Sequence, residues 1–305
     1  MSFMTLQAAG MLKTYLEQRQ SAGQTHVGLR PGTLERLCSF KGATTARAEE
    51  VRRKVEAIPR DSVRPPAPVV GIFEAPTATS PRARAGARLI EVTGATKAEK
   101  LAALAAIAEA SPEARALGTL RETMVFAVGT PEAQLMLIGE APGFEEERQR
   151  EPFVGPAGQK LTGILKAMGL ERSDVYISNI CKFRPAMEGG QGTANRAPSD
   201  AEMASCLPYV MTEISIIQPR VIVALGGVAC KGLGIGEGVM RLRGRFYDVQ
   251  GIPVMVTYHP SYLLREEKLA GGGIRAKREC WEDMLKVMEK AGLPISDKQR
   301  GFFKK

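Results

Sequence analysis

Between residues 135 and 291, four short and almost wholly apolar runs alternate with longer stretches of helical period. The runs are "LMLIG" (135–139), "DVYISNICKF" (174–183), "RVIVALGG" (220–227) and "IPVMVTYHPS" (252–261). A strand that is apolar throughout needs cover on both faces, which is the pattern of a parallel sheet flanked by helices. The intervening stretches supply that cover. Residues 158–168 put Leu161, Ile164, Leu165 and Met168 on one face. Residues 199–217 open with Ser199 and Glu202, the spacing of a capping box. A further helix follows residue 227, and "RAKRECWEDMLKVMEKAG" forms the last. Ahead of the first strand, "TKAEKLAALAAIAEA" is rich in strong helix formers, with Thr93 or Thr96 as its cap. The expectation is an α/β fold, a three-layer α/β/α sandwich with a central, mostly parallel four-stranded sheet.

The N-terminal third is different. Residues 4–20 and 32–58 predict helices, but "PRDSVRPPAPVVGIFEAPTATSPRARAGAR" has the composition of a linker or disordered segment. The division falls near Glu91. Residues 1–93 read as a basic, helical or disordered extension, residues 94–290 as the folded domain and residues 291–305 as a C-terminal tail. Residues 1–95 hold 14 Lys/Arg against 8 Asp/Glu, so they carry +6 of the net +9. A basic segment on a milder domain points to an anionic partner such as nucleic acid.

The bulk of the sequence narrows the classes. No apolar run reaches the roughly 18 residues of a membrane span, and the N-terminus lacks the pattern of a signal peptide. The five cysteines, Cys38, Cys181, Cys206, Cys230 and Cys280, are scattered and odd in number. That favours a reducing compartment over a disulfide framework, so a cytoplasmic location is expected. With only His26 and His259 present, a His/Cys zinc site is not expected. The glycines form neither a dinucleotide fingerprint nor a phosphate-binding loop.

In sheets of this kind, ligands bind beyond the carboxyl ends of the strands. The residues at or just past those ends are Glu140, Asn179, Gly226 with Gly227, and His259. An ionised Glu accepts hydrogen bonds, an Asn both donates and accepts, and a neutral His does one of each. Such a set can read the edge of a heterocycle and place a carboxylate beside a reacting carbon. Phe153, in the Gly-Pro turn after the acidic run 145–147, can stack on a flat ligand.

The segments "GEAPG", "EPFVGPAGQKL", "VYISNICKFRP", "NRAP", "VIVALG" and "TYHPSYLLR" occur in that order. Together they resemble the iron–sulfur-type, family 4 uracil-DNA glycosylases over residues 110–290. The resemblance implies a three-layer domain that removes uracil from DNA. It makes Glu140 and His259 catalytic, and Gly139, Ala141, Gly143, Phe153 and Asn179 the uracil pocket. It makes Ser261, Tyr262, Leu263 and Arg265 the DNA-contacting loop, with Tyr262 or Leu263 filling the gap left by the flipped base. Uracil-containing DNA is then the partner, contacted by a monomer whose N-terminal extension touches DNA or another protein. Excision of another deaminated or modified base, and non-catalytic binding of DNA, are the alternatives.

The chain departs from that family at its cluster ligands. The family's first cysteine pair would fall where this chain reads "EASPEARALGTLRE", and its third where this chain has Phe183. Cys206 matches the fourth, and Cys181 lies two residues from a ligand position. The expectation is no bound metal or cofactor, with Phe183 filling the vacated space. "AMEGGQGTA" reads as an insertion ahead of "NRAP".

Overall fold

In a computed structural model of the chain, the structure describes residues 89–303, apart from residues 191 and 270. The expected helices over residues 4–20 and 32–58, the linker, His26 and Cys38 lie outside the described residues.

The chain enters with α1 (Lys97–Glu109), where Thr96 caps the helix and Glu99 closes the capping box. It continues through α2 (Pro112–Ala116), β1 (Leu120–Met124) and β2 (Ala127–Gly129) to the first apolar strand, β3 (Leu135–Gly139). Two helices follow, α3 (Phe144–Gln149) and α4 (Pro156–Met168). The run at 174–183 is not one strand. It divides into β4 (Tyr176–Asn179) and β5 (Phe183–Pro185), and β5 pairs with β1 in a separate two-stranded sheet. Next come α5 (Asp200–Ile217), capped by Ser199 with Glu202 as expected, and β6 (Val221–Leu225). The remaining elements are α6 (Gly227–Gly232), α7 (Val239–Leu242), β7 (Phe246–Val249), β8 (Ile252–Thr257), α8 (Pro260–Glu267), α9 (Ile274–Ala291) and α10 (Asp297–Gly301).

The main sheet has the order β2-β4-β3-β6-β8-β7. The four expected strands form its parallel core, and β2 and β7 add antiparallel edges. Six strands rather than four is therefore the count in this sheet. The edges escape a search for apolar runs because β2 has three residues and β7 is only partly buried. Alternate side chains of the core strands feed two apolar layers. Met136, Ile138, Ile222, Ala224, Val254 and Val256 pack with α1 and α5, through Leu104, Val210 and Ile214. Leu135, Leu137, Val221, Val223 and Met255 pack with α4 and α9, through Leu161, Leu165, Met284 and Val287. This is a three-layer sandwich.

The segment set apart as a C-terminal tail packs onto the second of these layers. Trp281 Nε1 donates to Gln299 O at 2.9 Å, Gln299 Nε2 donates to Ala167 O at 2.8 Å, and Phe302 stacks on Trp281 at 5.1 Å. At the other end, Ile90 N donates to Thr212 Oγ1 at 2.9 Å, ahead of the position where the domain was expected to begin.

The order of the core strands sets up the site. The chain leaves β3 for β4 on one side, then crosses to β6 and β8 on the other. Carboxyl ends that diverge in this way leave a crevice. Gly139 and Asn179 pair at one part of its floor, Leu225 and Thr257 at the other.

Candidate active site

The crevice holds a pocket of about 300 Å³, at the small end for ligand sites. Glu140, Ala141, Gly143, Phe153, Asn179, His259, Ser261 and Arg265 all line it. Gly139 lies beneath it: a Cβ there would overlap Asn179 Oδ1 and the Phe153 ring. Glycine at 139 is thus what lets the two side chains sit over the strand end.

Asn179 is 2% exposed. Among the described residues, its Oδ1 is the one buried side-chain polar atom with no hydrogen-bond partner. Leaving an acceptor buried and unpaired costs roughly 1–3 kcal/mol, so its position is suited to a ligand N–H. The strand carrying it is braced from below. Lys182 Nζ lies 2.7 Å from Glu213 Oε2 and 2.6 Å from Ser178 Oγ, with both members of the ion pair fully buried.

His259 ends the last core strand and precedes α8. Its Nδ1 accepts from the Ser261 backbone N–H at 3.2 Å and lies 2.8 Å from Ser261 Oγ. Arg265 Nη1 donates to that hydroxyl at 3.4 Å. Burial, with a further push from Arg265, lowers the imidazole pKa to about 4. The ring is neutral near pH 7, and because Nδ1 is an acceptor, Nε2 carries the proton. Glu140 is shifted the other way: burial raises its carboxyl above the ordinary range, partly opposed by Arg265.

Phe153 sits 5.7 Å from the His259 ring, tilted by 35°. Its backbone is left-handed, with φ +56, a conformation that costs a bulky residue on the order of 1–3 kcal/mol. The turn is held in place. Arg172 Nη1 donates to Phe153 O at 3.0 Å. Gly158 leaves room for that carbonyl, which a Cβ would strike.

The acidic run 145–147 is more than a solvated face. Two of its members are structural. Glu146 Oε1 accepts from Val154 N at 3.0 Å and Gly155 N at 2.8 Å, while Oε2 accepts from Gly143 N at 3.2 Å. One carboxylate therefore ties the loop after β3 to the Phe153 turn. Glu147 bridges Arg184 at 2.9 Å and Arg121 at 2.5 Å. Arg184 is 1% exposed and also donates to Asn195 Oδ1 and the Gly192 and Ala194 carbonyls. That bonding fixes the inserted loop and brings Asn195 and Arg196 to the pocket wall. The signal for Glu146 was present in the sequence as G-x-x-E at a helix start. Asn195 and Arg196 carried a motif but no readable place.

Of the expected DNA-contacting residues, Ser261, Tyr262 and Arg265 line a groove of about 820 Å³ together with Glu140 and His259. Leu263 does not. It is 2% exposed, packed with Tyr258, Ala276 and Cys280. The chain turns helical at Pro260, which carries residue 263 round to the inner face.

The cysteine positions also bear on the cluster. Cys181 and Cys206 are fully buried and share a thiol–thiol hydrogen bond. That bond and burial raise the Cys181 thiol, while Cys206 is lowered to about 7 as its acceptor. Phe183 packs in the same apolar layer. A cubane needs four thiolates. Two free thiols beside a buried phenyl ring do not supply that set, and among the described residues no group of three or more His, Cys, Asp or Glu could hold a metal ion. Among those residues, too, no helix is long and apolar enough to cross a membrane.

Known proteins are similar to this chain over the part that holds the pocket. A "Type-4 uracil-DNA glycosylase" of Pyrobaculum aerophilum is 38% identical over 161 residues, covering 50% of this chain and 78% of that protein. One of Thermotoga maritima is 40% identical over 148 residues, covering 48% and 73%. One of Archaeoglobus fulgidus is 34% identical over 174 residues, covering 54% and 80%. The sequence pattern of the uracil DNA glycosylase superfamily matches residues 126–285, the span that contains every residue of the pocket, and the chain belongs to that superfamily.

Proposed function

We propose that this chain is a monofunctional uracil-DNA glycosylase, which hydrolyses the N-glycosidic bond of a flipped-out uracil and leaves an abasic site. The observation that carries the reading is the unpaired Asn179 Oδ1 in a pocket that also holds a neutral His259. Uracil offers N3–H to Asn179 Oδ1 and O4 to its amide. Cytosine presents the opposite pattern and would leave both unmatched.

The reaction follows from the same groups. Phe153 stacks on the base. The bond from C1′ to N1 breaks, and its electron pair leaves with the base. His259 Nε2–H donates to the base carbonyl as charge builds there, and the Ser261 N–H fixes the ring for that task. Glu140, ionised, stabilises the positive charge on the sugar or orients the water that adds to C1′. The water gives its hydroxyl to C1′, and its remaining proton balances the departing base. Ser261, Tyr262 and Arg265 contact the DNA beside the flipped nucleotide.

The reading includes no iron–sulfur cluster, because the donor set does not fit one. A monomer acting in the cytoplasm, with residues 1–93 adding contacts to DNA, completes the proposal. The test is incubation of the pure protein with oligonucleotides carrying one uracil, hypoxanthine or xanthine, followed by alkaline cleavage. Strand breaks at uracil are expected. Breaks only at another base would move the assignment, and DNA binding without any break would make the chain a non-catalytic binder.

A further inference from the structure

A nucleotide pulled out of a duplex leaves a gap, and glycosylases need an apolar side chain to fill it. Tyr262 or Leu263 is expected in that role, but Leu263 is buried at 2% exposure and the half-buried Tyr262 ring packs on Tyr258 at 4.7 Å. We propose that Met240 is the side chain that enters the duplex. The proposal rests on the glycosylase reading above and adds the residue that makes it work on double-stranded DNA.

Six large apolar side chains are exposed among the described residues, and Met240 is the most exposed of them at 72%. It is also the one of the six that lines the groove containing Glu140, His259, Tyr262 and Arg265. Its placement is built into the fold. Helix α7 is a single turn with two faces. Val239 and Leu242 pack against the apolar core, and Met240 and Arg241, between them, face outward. Val239 Cγ2 lies 3.8 Å from where a Gly227 Cβ would be. Gly226, next to it, approaches His259 so closely that a Cβ would stand 2.8 Å from the His259 Cβ. A continuous line of contacts thus runs from the catalytic histidine through Gly226, Gly227 and Val239 to the base of Met240.

The surroundings suit a nucleic-acid wedge. Arg241 and Arg265, both exposed, line the same groove, where they can meet phosphates. Arg241 Nη2 donates to Glu237 O at 3.0 Å, which holds the turn together. Gly236 and Gly238 both have positive φ, so the chain makes a tight approach that side-chain-bearing residues would strain. Methionine is unbranched and polarizable, which suits insertion between stacked bases.

The test compares single-turnover uracil excision from duplex and single-stranded oligonucleotides, because a single strand has no stack to hold open. Met240→Ala should slow duplex excision about tenfold, the cost of unstacking without a wedge. It should leave the single-stranded rate within about twofold, because flipping there needs no wedge. Met240→Leu should restore the duplex rate. Leu269→Ala, which removes an exposed side chain outside the groove, should change neither. An unchanged duplex rate for Met240→Ala would overturn the proposal, as would an equal loss on both substrates. Wild-type protein that excises uracil from neither form overturns the glycosylase reading, and the wedge with it.

Discussion

Gly139 and Asn179 are paired across β3 and β4, and the glycine leaves the space that the Asn179 carboxamide occupies. Any side chain at 139 would displace both the Asn179 Oδ1 and the Phe153 ring. Gly139→Ala should therefore lower single-turnover excision at least as far as Asn179→Ala, by roughly 10² or more, the scale for loss of a positioned polar group. Because the overlap is with two pocket side chains, the melting temperature should move little. A variant with wild-type rate would mean that the pocket floor does not hold the base.

Acid inactivation should report on Glu140 rather than His259. Burial raises Glu140 above 4.5, so the charge needed opposite the sugar cation is lost as pH falls through that raised value. His259, lowered to about 4, stays neutral throughout that window and protonates only below it. The rate should thus fall on approach to the raised Glu140 value, and His259 should add no step of its own near the ordinary histidine pKa of about 6.5. Glu140→Gln should slow excision at neutral pH and flatten the acid limb, while DNA binding is retained. A step near pH 6.5 that persists in Glu140→Gln would contradict the neutral, Nε2-protonated assignment.

Glu146 acts on the site without facing the reacting atoms. Its carboxylate gathers three backbone N–H groups from the two loops that carry Gly143 and Phe153. Glu146→Ala orphans all three, and the left-handed Phe153 loses part of its support. Excision should fall about tenfold or more, in keeping with unpaired buried donors at roughly 1–3 kcal/mol each. Amide exchange at Val154 and Gly155 should accelerate. Slower catalysis with unchanged exchange would assign Glu146 a different role.

The metal prediction concerns the whole chain. Protein purified without oxygen should contain no stoichiometric iron and show no visible cluster absorbance. Cys206→Ser should keep most of the wild-type excision rate, since the thiol pair lies in the apolar layer and not in the pocket. One cluster's worth of iron, lost on that substitution, would overturn the reading of Cys181 and Cys206.

Much of this architecture can be read from residue types alone. The runs at 135–139, 220–227 and 252–261 are apolar because both faces are covered, and periodicity detects that directly. The run at 174–183 misled because its second part leaves the main sheet to pair with β1, while sequence pattern treats the segment as continuous. That Glu140, Asn179 and His259 line one pocket was legible because strand ends in such sheets open on a shared crevice. The burial of Leu263 was not legible, because a proline-initiated helix turns it inward, which no local pattern reveals. The exposure of Met240 on the groove depends on where a Gly-rich turn carries it in space, and a lone methionine in sequence gives no sign of that. Glu146 shows another kind of gap: its hydrogen bonds reach residues eight and nine positions away, beyond local capping spacing.

The central claim is that Glu140, Asn179 and His259 converge to excise uracil. The most direct measurement is single-turnover excision from one uracil oligonucleotide by wild type, Glu140→Gln, Asn179→Ala and His259→Ala, alongside binding to abasic DNA. Wild type should excise. His259→Ala should fall by roughly 10²–10³, the usual loss for one charge-stabilising donor, and the other two should also fall. All three should bind abasic product about as wild type does, because the base has departed there. Variants that match wild type in rate, or a wild type that binds DNA and excises nothing, would contradict the account.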